Sequence, residues 1–576
     1  MLKGILEPKE LPRDYPRRFL PEDLPAGEWE ALSPLFADLE RRPLGSRTEV
    51  EQALLDLSEL LSAIEEEGAI RYIRMTCDTT NPEHEKAYLA FLENVVPRVE
   101  EALHRLRVRF TGVPAWKDLP LERYEVLRRK WENAVRIFRE ENIPLKVAEE
   151  KLGQRYQKIF GAMTVEFEGR TQTLQQMAKY LEEPDRRVRE RAWELIAERR
   201  LRDKDEIEDI FEELLDLREK RAKNAGFENF RDYAFCERER FDYGPKECEE
   251  FHKGVEEAVV PLLRLLHKKR AKRMGLKRLR PWDLLVDPEG RPPLRPFEDP
   301  EDLVHGVQEI FWRLDRRLGE LFSKMAELRL LDVANRPGKA PGGYQSTLTE
   351  RRLPFIFMNA VGRDQDLWTL LHEAGHAFHT LLSRDEPLHM YRDPPLEFAE
   401  VASMGMELLA SPFLDVFHPK EEERRRSLEE HLYAIVRLLC WVATIDAFQH
   451  WIYTHPGHSR AERRRAWVAV FRRFGGLEDW SGYEEVLEHE WHRQLHLFLA
   501  PFYYIEYGIA QLGALGLWQK SQEDREKAIA DYIRALSLGG SRPLPELFSA
   551  AGLPFDFGPS ALARAAKTLH QALSLA

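Results

Sequence analysis

The chain contains 576 residues, with 87 basic and 100 acidic side chains and a net charge of −13. Because a nucleic-acid-binding protein needs a basic face, this balance argues against a nucleic-acid partner. Hydrophobic residues make up 43% and charged residues 32% of the chain, as in a globular protein with a highly charged surface.

The four cysteines lie far apart, without the spacing of a metal or redox motif, and indicate reduced thiols. The N-terminal residues have no apolar signal core, and no run of about 18 apolar residues occurs. We therefore expect a cytoplasmic protein with no membrane partner, and the oligomeric state stays open.

Helical periodicity dominates the chain from about Glu28 onward, so the expected fold class is mainly α. One short stretch, Thr164–Thr171, alternates around a turn and predicts a hairpin. Two long helices are predicted farther along, from Ala192 to Arg221 and from Pro245 to Gly275. The second of these helices is expected to kink at Pro261.

A glycine loop comes next, at Gly342 and Gly343, followed by Tyr344 and an apolar stretch, Leu353–Asn359, that predicts a short strand. Glycine lets a backbone approach closely, and a strand can offer main-chain hydrogen bonds to an extended peptide. We therefore predict that Gly342, Gly343 and Tyr344 bind substrate. An ordinary glycine turn is the alternative.

Residues 371–376 read LHEAGH and contain the pattern HExxH. Residues four apart share one face of a helix, so His372 and His376 can hold one metal ion, with Glu373 beside it. Two imidazoles and one carboxylate suit zinc and leave a fourth position for a water, whose proton a neighbouring carboxylate can take. Asp364 is expected to cap this helix. A surface helix with incidental histidines is the alternative.

A second apolar helix is predicted over residues 396–407 and contains three glutamates. A carboxylate in such a helix is costly unless it is paired or binds a metal. We predict Glu400 as the third ligand, because the intervening loop can turn this helix back against the first. Glu397 and Glu407 are predicted to orient the imidazoles, with a solvated helix face as the alternative. His379 is expected to be a satisfied polar neighbour rather than a ligand.

Near the C-terminus, residues 483–498 are predicted to form a helix that places three histidines on one stripe. These are His489, His492 and His496. Such a stripe could indicate a second metal. We expect instead that two of the histidines are exposed and that one serves the site.

The stretch 364–379, followed by FAEVAS at 398–403, resembles the thimet oligopeptidase and oligoendopeptidase F family of zinc metallopeptidases. Residues 336–344 are similar to the glycine loop of that family, and residues 496–507 to its His and Tyr segment. The resemblance is strong over about residues 330–510. It implies a two-lobed helical zincin fold with a small β element beside the active-site helix, a deep substrate channel and one Zn²⁺ per chain.

The resemblance also implies that His496, Tyr503 and Tyr507 lie across the cleft from zinc. A phenol O–H there can stabilise the negative charge that develops on the substrate carbonyl oxygen. Packing in the core is the alternative role for the tyrosines. We divide the chain into an N-terminal helical region, residues 1–190, and a zinc metallopeptidase catalytic region, residues 191–576.

Taken together, the motif and the resemblance predict a zinc-dependent oligoendopeptidase that hydrolyses internal bonds of short peptides by metal-activated water. A dipeptidyl exopeptidase of the same fold is one alternative. A non-catalytic helical peptide-binding protein is another, although a binding module has no need of Glu373.

Overall fold

The computed structural model describes residues 10–574, which fold mainly into helices, as predicted. The α-helices are α1 Trp29–Arg41, α2 Arg47–Cys77, α3 Pro82–Asn94, α4 Val96–Gly112, α5 Pro114–Lys117, α6 Leu121–Ile137, α7 Asn142–Gly161, α8 Leu174–Met177, α9 Arg186–Arg202, α10 Lys204–Asn224, α11 Phe230–Glu237, α12 Pro245–Gly254, α13 Val260–Arg273, α14 Pro300–Leu314, α15 Arg316–Glu327, α16 Asp364–Leu382, α17 His389–Arg392, α18 Leu396–Ala410, α19 Glu421–Thr454, α20 Arg460–Phe474, α21 Glu484–Glu488, α22 Leu495–Leu499, α23 Ile505–Glu523, α24 Arg525–Leu536, α25 Leu544–Ala550 and α26 Pro559–Ala572. The strands are β1 Thr164–Phe167, β2 Arg170–Thr173, β3 Leu331–Ala334, β4 Tyr344–Leu348 and β5 Leu353–Ala360.

The chain divides into two compact units, each assembled from separated segments. The first unit contains the residues up to Arg136 together with Leu294–Leu428 and Gly513–Phe555. The second contains Ile137–Pro293, Glu429–Leu512 and the residues from Asp556 onward. The predicted boundary between residues 190 and 191 falls inside α9. The two compact units therefore do not coincide with the two predicted regions. An N-terminal helical region and a catalytic region stay a prediction.

In the first unit, a three-stranded sheet lies beside helix α16. Its strand order is β3-β5-β4, with β3 parallel and β4 antiparallel to β5. Strand β5 is almost fully buried, which explains why it reads as a continuous apolar run, and it confirms the strand predicted at Leu353–Asn359. Strand β4 is an edge strand that contacts α16.

Helices α16 and α18 pack against each other more closely than ordinary side chains permit. A Cβ atom at Gly375 would lie 2.5 Å from the carbonyl oxygen of Ala402 and 2.5 Å from Cα of Ser403. Only glycine fits at this crossing, because any side chain would collide with backbone atoms. The close crossing brings the HExxH side chains of α16 next to the glutamates of α18.

The second unit contains the predicted hairpin, β1–β2, which is confirmed as an antiparallel pair. The single helix predicted from Ala192 to Arg221 is wrong, because the backbone leaves the helical conformation at Asp203 and separates α9 from α10. The helix predicted from Pro245 continues beyond Pro261 as α13. A π-helical segment, Val255–Val259, interrupts it and ends two residues before Pro261. Proline has no N–H to donate to the preceding turn, which accounts for an irregularity at this point.

Helix α19 is long and apolar enough to cross a membrane by length and composition alone. One window of 18 residues in it has a mean hydropathy of 1.4. Because 61% of that window is buried within the protein, α19 also fits the core helix of a water-soluble protein, which passes the same test. The expected absence of a membrane partner stays a prediction.

Candidate metal and catalytic site

Helix α16 begins at Asp364 and carries the HExxH residues. The predicted cap by Asp364 is wrong, because the carboxylate of Asp366 accepts the hydrogen bond from the backbone N–H of Arg363, at 2.9 Å. The carboxylate of Asp364 instead contacts Nε2 of His418 and accepts a hydrogen bond from Oγ of Ser427, both at 2.7 Å. The start of α16 is therefore fixed by two carboxylates with different partners.

Three predicted ligands converge where α16 meets α18. The Oε2 atom of Glu400 lies 3.5 Å from Nε2 of His372 and 3.8 Å from Nε2 of His376. One nitrogen or oxygen from each of these three residues lies within 4.8 Å of the others. The donors are two imidazoles and one carboxylate, the set that a catalytic zinc uses.

Neighbouring groups hold two of these side chains in place. Oε1 of Glu407 lies 2.6 Å from Nδ1 of His372, which leaves Nε2 directed towards Glu400. Burial lowers the pKa of His372, but the hydrogen bond and charge of Glu407 outweigh it and raise that pKa to about 9. Oγ of Ser403 donates a hydrogen bond to Oε2 of Glu400 at 3.0 Å. The predicted orienting role therefore fits the position of Glu407.

Glu397, the other predicted orienting residue, is only 5% exposed, so the alternative of a solvated helix face does not describe it. The sequence did not single out Ser403 or Gly375. Ser403 donates a hydrogen bond to Glu400, and Gly375 permits the close crossing of α16 and α18. Ser403 follows Glu400 by one helical turn, and that spacing is the signal that could have found it.

Glu373 is 8% exposed and directly follows the ligand residue His372 on α16. Burial is the main cause that raises the pKa of its carboxyl to about 7, and the charges of Glu400 and Glu407 act in the same direction. The backbone of Gln345, on strand β4, forms a hydrogen bond with this carboxyl. A carboxyl with a pKa near neutrality can both accept and release a proton.

His379 is buried on the same helix, where burial lowers its pKa to about 3. Neither of its ring nitrogens has a hydrogen-bond partner among residues 10–574. Its ring packs edge-on against Phe398, with 6.0 Å between the ring centroids. The expectation that it is no ligand is consistent with this position, but the expectation of a satisfied polar neighbour is wrong.

The glycine loop leads into edge strand β4. Gly342 has a positive φ of 101°, a conformation that favours glycine, and its carbonyl oxygen accepts a hydrogen bond from Nδ2 of Asn359 at 2.9 Å. The ring of Tyr344 stacks on Phe357 at 4.8 Å, and its hydroxyl lies 2.5 Å from Oγ1 of Thr76. The Tyr344 side chain is thus engaged within the protein, and the substrate-binding role of Gly342, Gly343 and Tyr344 stays a prediction.

In the second unit, His496 lies among the predicted tyrosines. The centroid of its ring is 5.6 Å from that of Tyr503 and 6.0 Å from that of Tyr507. Nδ1 of His496 lies 2.7 Å from Nε2 of Gln494. Burial lowers the pKa of His496 to about 4, and the charge of Arg238 adds to the effect, so the imidazole is neutral at physiological pH.

The helix predicted over residues 483–498 is wrong, because the segment is broken into α21, a short 3₁₀ turn and α22. His489 and His492 are 9% and 3% exposed, which contradicts the expectation that two of the three histidines are exposed. Nε2 of His492 lies 3.5 Å from Oε1 of buried Glu208. The break gives the three histidines different surroundings and removes the predicted common stripe.

Comparison with known sequences identifies the family. A profile described as "Peptidase family M3" matches residues 179–558, and one described as "Peptidase M3 N-terminal domain" matches residues 25–138. The first match alone covers more than half of the chain. The chain belongs to peptidase family M3. The predicted resemblance is thereby confirmed, and because this family consists of metallopeptidases, membership implies a metal ion.

Two curated relatives carry oligopeptidase names. The chain is 24% identical over 321 residues to an oligoendopeptidase F homolog of Lactococcus lactis subsp. lactis (strain IL1403), which covers 52% of this chain and 49% of that protein. It is 26% identical over 265 residues to the oligopeptidase PepF of Bacillus subtilis (strain 168), which covers 44% and 39% of the two chains. The chain thus matches about half or less of the length of these relatives.

Solved structures match along nearly the whole chain. The structure of PZ peptidase A with inhibitor 2 has a TM-score of 0.88 and 28% identity, over 97% of this chain and 99% of that one. The oligoendopeptidase F of Enterococcus faecium has a TM-score of 0.65 and 16% identity, over 95% and 96%, and supports the fold alone. The predicted mainly helical zincin fold is confirmed, while the substrate channel stays a prediction.

Proposed function

We propose that this member of peptidase family M3 is a zinc-dependent oligoendopeptidase that hydrolyses internal bonds of short peptides. The observation that carries the proposal is the convergence of His372, His376 and Glu400 next to buried Glu373. The oligopeptidase names of the relatives support short peptides as substrates.

The donor set at α16 and α18 suits one zinc ion at this site. His372, His376 and Glu400 would hold it, since two imidazoles and a carboxylate are common catalytic zinc ligands. When bound, zinc supplies a Lewis acid that polarises the substrate carbonyl and lowers the pKa of water. The imidazole side chains of His372 and His376 are 26% and 19% exposed, which suits a site that must admit substrate.

Glu373 is the proposed general base. Its carboxylate takes a proton from the attacking water and later passes that proton to the amine that leaves the cleaved bond. Its position directly after the ligand His372 on α16 suits both transfers. Glu407 and Ser403 keep the ligand side chains oriented while this proton moves.

His496, Tyr503 and Tyr507 are proposed to bind the carbonyl oxygen of the substrate. Their rings lie within 6.0 Å of one another, so they form one polar aromatic group. A phenol O–H or a neutral imidazole N–H can donate a hydrogen bond to the oxygen as its negative charge grows. The lowered pKa of His496 supports the neutral form.

The backbone of the glycine loop and strand β4 is the proposed binding surface for the peptide main chain. Strand β4 lies at the edge of its sheet, and an edge strand can accept an extended peptide as a further strand. Gly342 and Gly343 contribute no side chains of their own to the approach to this edge. The sequence of the peptide would then be selected elsewhere.

We also propose a cytoplasmic location and no nucleic-acid or membrane partner. The net charge of −13 supports the absence of a nucleic-acid partner. Cys77, Cys248 and Cys440 are buried and form no disulfide among residues 10–574, which supports a reducing compartment.

Mass spectrometry of the products from a mixed peptide pool tests the proposal. The pool contains each peptide with free termini and with acetylated and amidated termini, and it is digested with and without a chelator. We expect internal cuts in both forms and none with the chelator. Removal of dipeptides from free C-termini alone would favour an exopeptidase, and no cleavage of any peptide would favour a binding protein.

A further inference from the structure

A second group of metal-binding side chains lies buried in the second unit. Helix α12 carries Cys248 and His252, and helix α19 carries Asp446 and His450. Each pair is separated by four residues, so both members of a pair share one helix face. One ligand atom from each of Cys248, Asp446 and His450 lies within 4.8 Å of the other two. Two facing helices therefore present a thiol, a carboxylate and two imidazoles to one place.

The interior of this group has unsatisfied polar atoms. Cys248 and Asp446 are 0% exposed and His450 is 7% exposed. Oδ1 of Asp446 and Nδ1 of His450 have no hydrogen-bond partner within the described part of the chain. A buried polar atom without a partner is destabilising, and more so when it is charged. A polar occupant of the group would remove that cost.

The imidazole of His252 supports the carboxylate of Asp446. Nε2 of His252 lies 2.8 Å from Oδ2 of Asp446, and Nε2 of His450 lies 3.3 Å from the same oxygen. Oδ1 of Asp446 has no hydrogen-bond partner among the described residues and is available to a ligand. A hydrogen bond to the second oxygen of a ligating carboxylate is a usual feature of metal sites.

The charges favour a divalent cation of moderate softness. A Cys248 thiolate and the Asp446 carboxylate together carry two negative charges, which a divalent ion would neutralise inside the protein. The thiol of Cys248 would lose its proton as the metal binds. A mixed set of thiolate, imidazole and carboxylate is typical of zinc.

We infer that Cys248, Asp446 and His450 form a second, structural zinc site that links α12 to α19. His252 lies beside the three ligands and supports the Asp446 carboxylate through its Nε2 atom. The site is closed to solvent, so it has no place for a substrate, and its ion stabilises the fold of the second unit. A buried water molecule is the competing occupant, since water also satisfies buried polar groups.

Elemental analysis of enzyme produced in zinc-supplemented medium tests this site. We expect two zinc ions per chain in the wild type, one in His372→Ala and one in Cys248→Ser. Cys440→Ser is the matched control, because Cys440 is a buried cysteine of the same unit and is not part of the group. It should keep two zinc ions. Equal zinc content in Cys248→Ser and the wild type would overturn the inference.

Cobalt substitution gives a second measurement that does not depend on a Cys248 variant. The HExxH site contains no cysteine, so a thiolate-to-cobalt charge-transfer band reports only on Cys248. We expect this band in His372→Ala enzyme produced with cobalt. Its absence there, or wild-type enzyme holding a single ion that His372→Ala removes, would mean that water fills the group. The band also separates the two proposals, since it persists if the HExxH site binds no metal.

Discussion

The HExxH site and the Cys248 group are built alike but differ in exposure. In each, a pair of ligands four residues apart on one helix meets a residue from a second helix. The side chains of His372 and His376 are 26% and 19% exposed, whereas those of Asp446 and His450 are 0% and 9% exposed. Zinc sites that do chemistry keep an open position and structural sites are closed. Exposure, rather than ligand type, therefore separates a reacting site from a fold-stabilising one.

Removal of metal should show the largest difference between the HExxH site and the Cys248 group. Dialysis of native enzyme against a chelator should abolish peptide cleavage, because the exposed HExxH site loses its ion. The Cys248 group should keep its ion, because it is buried. Metal content and activity measured on the same samples check this. Loss of both ions at the same rate, or activity that survives dialysis, would contradict the distinction.

Glu373→Gln should lower kcat by about 10²–10⁴-fold, the usual contribution of a general acid or base. The zinc content should not change, because Glu373 is not a predicted ligand. Steady-state kinetics with elemental analysis measure both quantities. Glu320→Gln, an exposed change in the same unit, is the control and should leave kcat unaltered. A fully active Glu373→Gln enzyme would remove Glu373 from the mechanism.

Glu407→Gln should weaken metal binding at the HExxH site by about 10–100-fold, because the amide holds His372 less firmly than the carboxylate does. A zinc-buffer titration that follows recovery of activity measures the change. The cobalt band of the Cys248 group should not change. An unaltered zinc affinity would show that the 2.6 Å contact does not orient the ligand.

Gly375→Ala should destabilise the first unit by about 1–3 kcal/mol, the usual cost of overpacking. The new methyl group would collide with the backbone of α18 at Ala402 and Ser403. Gly112→Ala is the matched control, because Gly112 also lies in a helix of the first unit and its Cβ would meet nothing within 4 Å. Urea unfolding of both variants should show a lower midpoint only for Gly375→Ala.

Features that depend on neighbouring residues could be predicted from the sequence. The HExxH ligands lie within one helical turn, and the hairpin β1–β2 and strand β5 follow from local alternation and an apolar run. Glu400 lies on another helix, but a carboxylate in an apolar helix is unusual enough to stand out. Only the prediction of Glu400 required an assumption about packing, namely that the loop turns its helix back against α16.

Features that depend on long-range packing could not be predicted. Cys248 and Asp446 are about 200 residues apart, and neither i, i+4 pair forms a known motif by itself. The cysteines were therefore interpreted as isolated thiols. The two units are assembled from separated segments, which a single boundary in the sequence does not represent.

His489 and His492 were wrongly predicted because contacts with residues far away in the sequence accompany a break in the helical pattern. The pattern over residues 483–498 is helical, but buried contacts such as that between His492 and Glu208 accompany a chain that turns between α21 and α22. The sequence predicts a satisfied polar neighbour at His379, because this residue lies two helical turns beyond His372. Its burial against Phe398 was not visible in the sequence.

Return of zinc to the stripped enzyme tests the central claim most directly. Peptide cleavage is followed as zinc is added to chelator-treated wild type and to His372→Ala. We predict that activity in the wild type rises in proportion to zinc and saturates at one equivalent, and that His372→Ala gains none. Recovery of activity in His372→Ala, or full activity of the stripped wild type before any zinc is added, would contradict the account.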